Sequence, residues 1–250
     1  MNLSVTTRGA FAVSFQARAC AVCSLMNQKS PLLENVQGVL FDMDGTLAEN
    51  AHFHHDAWQE TMLERYGYRV AADETRVHGG KTPFIVASLL GREIDPLEAA
   101  EFHEFKEARY RDLARGKIAA VAGLIPYLDW LEARGIRRAI VTSADATNTD
   151  FVLEALGIRD RFEAVVLGEH VTNGKPHPEP FLLGAQRLGL EGNTCLAHED
   201  APVGVQSASR AGARVVGMLT LQSSQALLET GATWTVRDYD EWLRLLGANT

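Results

Sequence analysis

Residues 36–50 read VQGVLFDMDGTLAEN. An apolar run, 38–41, leads into two aspartates one residue apart, Asp42 and Asp44, and the chain then turns on Gly45. A strand that is apolar on both faces belongs inside a covered parallel sheet. Packing alone gives such a strand no reason to finish on paired acids. In an extended chain, residues two apart project to the same side, so both carboxylates would face one small volume. Like charges that close are costly without a cation, and Mg2+, which prefers oxygen ligands, is the natural one.

The rest of the chain repeats the motif of a short apolar run closed by polar residues. Such runs occur at 38–42, 137–143, 163–168, 194–200 and 213–219, and helical periodicity fills 124–134, 147–156, 178–188 and 202–211 between them. The fold expected is α/β, a Rossmann-like parallel sheet covered on both faces. One interruption, from Leu47 to about Lys117, holds no strand-like run. Its helical candidates are 51–66, 82–90 and 96–115, with Trp58, Met62, Phe102 and Phe105 available for an apolar face and Glu107 four residues before Arg111. This predicts an all-helical cap, 49–117, inserted into a core made of 36–48 and 118–250, with hinges near 48–50 and 116–121.

Composition sets outer limits. With 250 residues the chain can bury one sizeable core and a second small module. Thirty-two acidic against 24 basic residues, a net charge of −8, argue against coating nucleic acid or an anionic membrane. No apolar run approaches the roughly 18 residues of a membrane span. Three cysteines make no disulfide framework for a chain of this size, which fits a reducing, cytoplasmic setting. The lone CAVC at 20–23 lacks the second ligand pair of a zinc site. Residues 1–25 carry Arg8 and Arg18 and no acid, as transit peptides do, but Met26 opens a plausible start of its own. Residues 1–35 are therefore read as an extension, disordered or an overextended start.

Ligands of open parallel sheets bind beyond the carboxyl ends of the strands. Those ends collect Asp42 and Asp44, Thr142 and Ser143, and Glu199 and Asp200, while TNGKPHP before the helix at 178 offers Lys175. The carboxylate touching the metal stays ionised and can attack phosphorus, which suits Asp42. The one set further out, Asp44, can deliver a proton to a leaving oxygen. Thr142 can donate to a phosphoryl oxygen and Lys175 can neutralise charge that builds there, with Asp200 and Glu199 completing the metal shell.

The segments FDMDGTL, IVTSAD, GKPHPEPF and HEDAPVGVQSASRAGA resemble, in order and spacing, the four motifs of the haloacid dehalogenase-like (HAD) phosphohydrolase superfamily, over about Val36 to Leu219. The inserted helices look like the small cap of the subgroup containing phosphoglycolate phosphatase and β-phosphoglucomutase. The resemblance implies Asp42 as nucleophile and Asp44 as acid/base. It implies Thr142, with the neighbouring hydroxyl of Ser143 also able to serve, and Lys175 as phosphate binders, and Asp200 as a Mg2+ ligand with the backbone carbonyl of Asp44. Dehalogenating members lack the second aspartate, so Asp44 points to phosphoryl chemistry. His198 stands where the family has an apolar or aromatic residue.

Other patterns are decoys or depend on the resemblance. An EF-hand read from Asp42 needs glycine and glutamate where Leu47 and Phe53 stand. HFHHD at 52–56 fails the spacing of a histidine metal site. His54 nonetheless falls where β-phosphoglucomutase-like relatives place a cap histidine against the acid/base aspartate. HGGKT at 78–82 lacks the first Walker glycine, since Thr75 occupies that position. Within a cap, Gly79 and Lys81 look like the loop that closes on substrate. The expected activity is a Mg2+-dependent phosphatase of a small phosphorylated metabolite, a sugar phosphate or phosphorylated acid. A β-phosphoglucomutase-type phosphomutase and a catalytically silent binding module are the alternatives. Asn50 stands where the mutase has a hinge threonine.

Overall fold

The computed structural model describes residues 30–77 and 81–248. The chain divides at Glu34. Of the first unit the described part is the short 3-10 turn Pro31–Leu33; CAVC lies outside the described residues. The second unit, Asn35–Thr250, carries all that follows.

Six strands, β1 (Gly38–Phe41), β2 (Arg137–Val141), β3 (Ala164–Val166), β4 (Cys195–Glu199), β5 (Arg214–Met218) and β6 (Trp234–Val236), form one sheet in the order β3-β2-β1-β4-β5-β6. Every pairing is parallel. Three helices, α1 (Ala51–Tyr66), α2 (Thr82–Leu90) and α3 (Pro96–Ala114), follow β1 and make the cap. The core helices are α4 (Leu124–Glu132), α5 (Ala146–Leu156), α6 (Glu179–Arg187), α7 (Pro202–Arg210), α8 (Ser224–Glu229) and α9 (Tyr239–Leu245). The parallel sheet and inserted helical cap expected from the sequence are what the chain forms. The last three elements, α8, β6 and α9, were not foreseen.

Successive residues of β1 serve opposite faces, as the pleat requires. Leu40 packs with Val141, Phe181, Ala185, Ala197 and Val205 under α6 and α7. Phe41 points the other way, into an aromatic layer with Tyr127 of α4 and Tyr239 of α9. His198 belongs to that layer: its ring stacks on Phe41 at 5.2 Å and 11°, and its Nε2 lies 3.1 Å from the Tyr127 hydroxyl. Full burial depresses its pKa to about 3, so it serves as a neutral aromatic.

The cap has its own core, Trp58, Met62, Val70, Ile85, Val86, Leu89 and Phe102. Phe105 does not join it. It stays partly exposed beneath the guanidinium groups of Arg65 and Arg109, and the buried face of α3 uses Lys106 and Glu107 instead. The pair expected between Glu107 and Arg111 is replaced by a bridge: both bond Asn148 of α5, each at 2.6 Å. The two connectors of the cap pair with each other. Glu49 N–H donates to Ala119 O at 2.9 Å and Val121 N–H to Leu47 O at 3.0 Å. Among the described residues no helix is long and apolar enough to cross a membrane.

Candidate active site

The sheet register assembles the acids. Phe41 pairs with Ile140 on one side and His198 on the other, so one residue further on, Asp42 stands level with Val141 and Glu199. Asp42 N–H donates to His198 O at 3.0 Å, which keeps the chain in line just past the strand. Lys175, in the loop before α6, is buried between the two acids and donates to Asp42 Oδ1 at 2.5 Å and Glu199 Oε1 at 2.7 Å. Carboxylate oxygens of Asp42, Glu199 and Asp200 lie within 4.8 Å of one another, and all three residues are buried.

Two glycines make this crowding feasible. Gly45 has φ +78, and a β-carbon on it would lie 2.1 Å from Asp200 Oδ2. One on Gly204 would lie 1.6 Å from Glu199 Oε1. Glu199 is further fixed because its Oε2 accepts the Ala201 N–H at 2.9 Å. Thr220, which follows β5, donates its hydroxyl to Gly45 O at 2.7 Å and steadies the turn.

Burial raises the Asp42 pKa to about 8, with Glu199 and Asp44 adding to the rise and Lys175 opposing it. Asp200 is raised as well, by burial and then by Glu199 and Asp42. Burial would lower Lys175, but Asp42 and Glu199 outweigh it and hold the ammonium above its ordinary range. Three buried carboxylates that one ammonium does not satisfy form an all-oxygen donor set, which fits a hard divalent cation.

Asp44 behaves differently. The chain bends at Met43, and the Asp44 carboxylate leaves the Asp42 side to meet the cap. Its Oδ1 accepts from Asn50 Nδ2 at 2.5 Å and lies 3.5 Å from His54 Nε2. Burial pushes its pKa up, but His54, Asn50 and Lys106 together bring it below the usual value. Asp42 and Asp44 border one cavity, as an extended chain would have them, but their carboxylates take different hydrogen-bond partners. Among the described residues Asp44 does not join the three-carboxylate cluster.

The other expected residues fall around one cavity of about 680 Å3. Thr142 is buried, its Oγ1 accepts the Ala144 N–H at 3.0 Å, and its own proton is left to donate. Ser143 lines the same cavity but is exposed. Lys81 is exposed at the mouth, its Cε 3.4 Å from where a β-carbon of Gly174 would sit. Gly79 lies outside the described residues. His54 stacks on Tyr110 at 3.7 Å, and its Nδ1 is 3.2 Å from Lys106 Nζ. His52 and His55 join no metal-ligand cluster among the described residues.

Several residues of the site carried no usable signal. Asn50 begins α1 yet makes no helix cap; its amide instead bridges Asp44 and, at 2.6 Å, Tyr110. Its polar amide at a predicted hinge was the one available clue. Lys106, Glu107, Tyr110 and Asn148 come together only through tertiary packing.

A family model described as "haloacid dehalogenase-like hydrolase" matches residues 36–212. "Protein CbbY" of Rhodobacter capsulatus is 34% identical over 72% of this chain and 84% of that protein. "Fructose-1-phosphate phosphatase YqaB" of Escherichia coli (strain K12) is 31% identical over 76% of this chain and 100% of its own. A crystal structure of CbbY from Rhodobacter sphaeroides in complex with xylulose-1,5-bisphosphate superposes with a TM-score of 0.71 at 27% identity, covering 84% of this chain and 99% of that one.

Proposed function

Since the chain belongs to the haloacid dehalogenase-like hydrolases, we propose that it is a Mg2+-dependent phosphatase of a small phosphorylated metabolite, working through an aspartyl-phosphate. The observation that carries this is Asp42, buried at the end of β1 between the Lys175 ammonium and the carboxylates of Glu199 and Asp200. Asp42, Asp200, Glu199 and the Asp44 carbonyl would hold Mg2+, which supplies electrostatic polarisation of the phosphoryl oxygens when bound.

An Asp42 carboxylate oxygen attacks phosphorus while the bond from phosphorus to the ester oxygen breaks. The leaving oxygen takes a proton from Asp44. Proximity to the anionic ester raises the Asp44 pKa and so favours the protonated form needed at that moment. Once the alcohol has gone, Asp44 accepts a proton from water as the water oxygen attacks the phosphoryl group, which frees inorganic phosphate and restores Asp42. The Thr142 hydroxyl and Lys175 ammonium bind the phosphoryl oxygens as negative charge shifts in transfer. His54 orients Asp44, and Lys81 closes over the substrate.

The cap, 49–117, moves against the core, 36–48 and 118–250, about the paired connectors. A phosphomutase would share these steps up to the fate of the phosphoryl group. The relatives' names span a monophosphate and a bisphosphate, so they do not choose the substrate. The test is phosphate release from a panel of esters, with Mg2+ and with EDTA, and isomerised sugar phosphate measured in parallel. Release without isomer supports the phosphatase; isomer without release moves the chain to the mutases.

A further inference from the structure

The cavity of about 680 Å3 is far larger than a phosphoryl group, so most of it receives what the phosphoryl group leaves behind. One wall of it is α3. There Lys106 and Glu107 are 4% and 7% exposed, although such side chains are rarely buried unless paired. Glu107 Oε1 accepts from Lys106 Nζ at 2.6 Å, and Oε2 accepts from Asn148 Nδ2 at 2.6 Å across the boundary between cap and core. Asn148 is itself held, because its Oδ1 accepts from Arg111 at 2.6 Å. Burial would raise the Glu107 pKa, but Lys106 and His54 outweigh it, so the carboxylate is ionised.

An ionised carboxylate has about four acceptor sites and an ammonium three donors. Lys106 directs one donor to Glu107 and one to His54 Nδ1, while Glu107 receives one from Lys106 and one from Asn148, with His103 Nδ1 3.7 Å from its Oε1, beyond hydrogen-bond reach. Both line the cavity with capacity left. A free donor beside a free acceptor is the complement of a hydroxyl group, which both gives and takes a hydrogen bond. A second phosphate or a carboxylate only accepts. It would meet the acceptors of Glu107, and the Lys106 charge is already matched. Of the other lysines that line the cavity among the described residues, Lys175 is committed to Asp42 and Glu199, and Lys81 is exposed beside Gly174 and not part of the α3 wall. Trp58, Ile85 and Ala99 make the adjoining wall apolar, suited to C–H faces and offering no cation.

We infer that Glu107, clamped by Lys106 and Asn148, is a specificity-determining residue that selects an uncharged, hydroxyl-bearing leaving group. The substrate is then a sugar or polyol monophosphate, and bisphosphates and phosphorylated carboxylic acids are discriminated against. This rests on the phosphatase reading above.

The test measures kcat/KM with Mg2+ for fructose 1-phosphate, fructose 1,6-bisphosphate and 2-phosphoglycolate, with p-nitrophenyl phosphate as a control of the chemistry. The wild type is expected to prefer fructose 1-phosphate over the two competitors, each of which carries a second anionic group, by at least about tenfold, the factor that about 1.4 kcal/mol of unpaired charge produces. In Glu107→Gln, KM for fructose 1-phosphate rises and the preference shrinks. A merely structural role would lower every substrate by one factor and leave the ratios fixed. Equal or better turnover of the bisphosphate or phosphoglycolate, by an enzyme active on p-nitrophenyl phosphate, overturns the inference and spares the phosphatase. Unchanged ratios in a folded Glu107→Gln overturn it too. No hydrolysis even of p-nitrophenyl phosphate removes both. The wild-type ratios decide the matter where the variant does not fold.

Discussion

Asp42 and Asp44 are separated by one residue and take different partners. Asp42 faces an ammonium and two acids, and Asp44 faces an amide and an imidazole. Under the proposed mechanism one chain segment would supply both a nucleophile and a proton carrier, so Asp44→Asn should lower kcat on alkyl phosphates by at least about a hundredfold, measured as phosphate release. The identities of these residues were legible in the sequence because short spacings survive folding. Their partners were not, since these follow from the bend at Met43 and from Asn50 and His54 arriving from the cap. Gly204 makes a sharper residue-scale test. A methyl group there would collide with Glu199 Oε1, 1.6 Å away. Gly204→Ala should keep the fold but raise the Mg2+ concentration needed for half-maximal activity; an unchanged Mg2+ titration would show that the position of Glu199 does not matter to the metal.

At the scale of elements, the long periodic segments were readable and the short ones were not. Helices α1, α2 and α3 and five strands matched expectation within a residue or two, because each bears its full hydrophobic pattern. The strand β6 has three residues and α8 six; β3 is equally short but sits in the wholly apolar AVVL, whereas WTV in β6 carries a polar centre and does not stand out. In α3 the expected apolar face included Phe105, whereas packing chose Lys106 and Glu107, a pairing no local pattern announces. His198 shows the reverse case: its place within β4 was legible, and only the structure reveals that it works as an aromatic filler. An unfolded chain protonates this ring below about 6.5, and the folded one does not until about 3. Stability from this group is therefore complete above about pH 6.5 and declines as pH falls below it, by at most roughly 2 kcal/mol between pH 7 and pH 5. His198→Phe should keep the stacking on Phe41 and shift the acid-unfolding midpoint to lower pH; an unshifted midpoint would mean that the ring is not held neutral.

For the whole molecule, the sheet carries a cluster of buried acids whose mutual repulsion a divalent cation would relieve. Binding to the folded state alone adds stability, about 2.7 kcal/mol at a ligand concentration a hundredfold above Kd. The wild type should thus gain thermal stability on adding Mg2+. Asp200→Asn, which removes one of the repelling charges, should be more stable than wild type in EDTA and gain little from Mg2+. Equal gains in both proteins would place the cation elsewhere. The cap was legible as an insertion because its helices break a rhythm of alternating strands and helices. Its hold on the core, through Asn148, Glu107 and Arg111, was not, since those residues lie about 40 positions apart in sequence.

The central claim is that Asp42 takes the phosphoryl group in a site that a divalent cation completes. Its most direct measurement is the initial rate of phosphate release from a responsive ester by wild type and Asp42→Asn, each with Mg2+ and after EDTA. The account predicts release by wild type with Mg2+ alone, and a loss of at least about 10³-fold in the other three conditions. Full-rate release by Asp42→Asn, or by the chelated wild type, would contradict it.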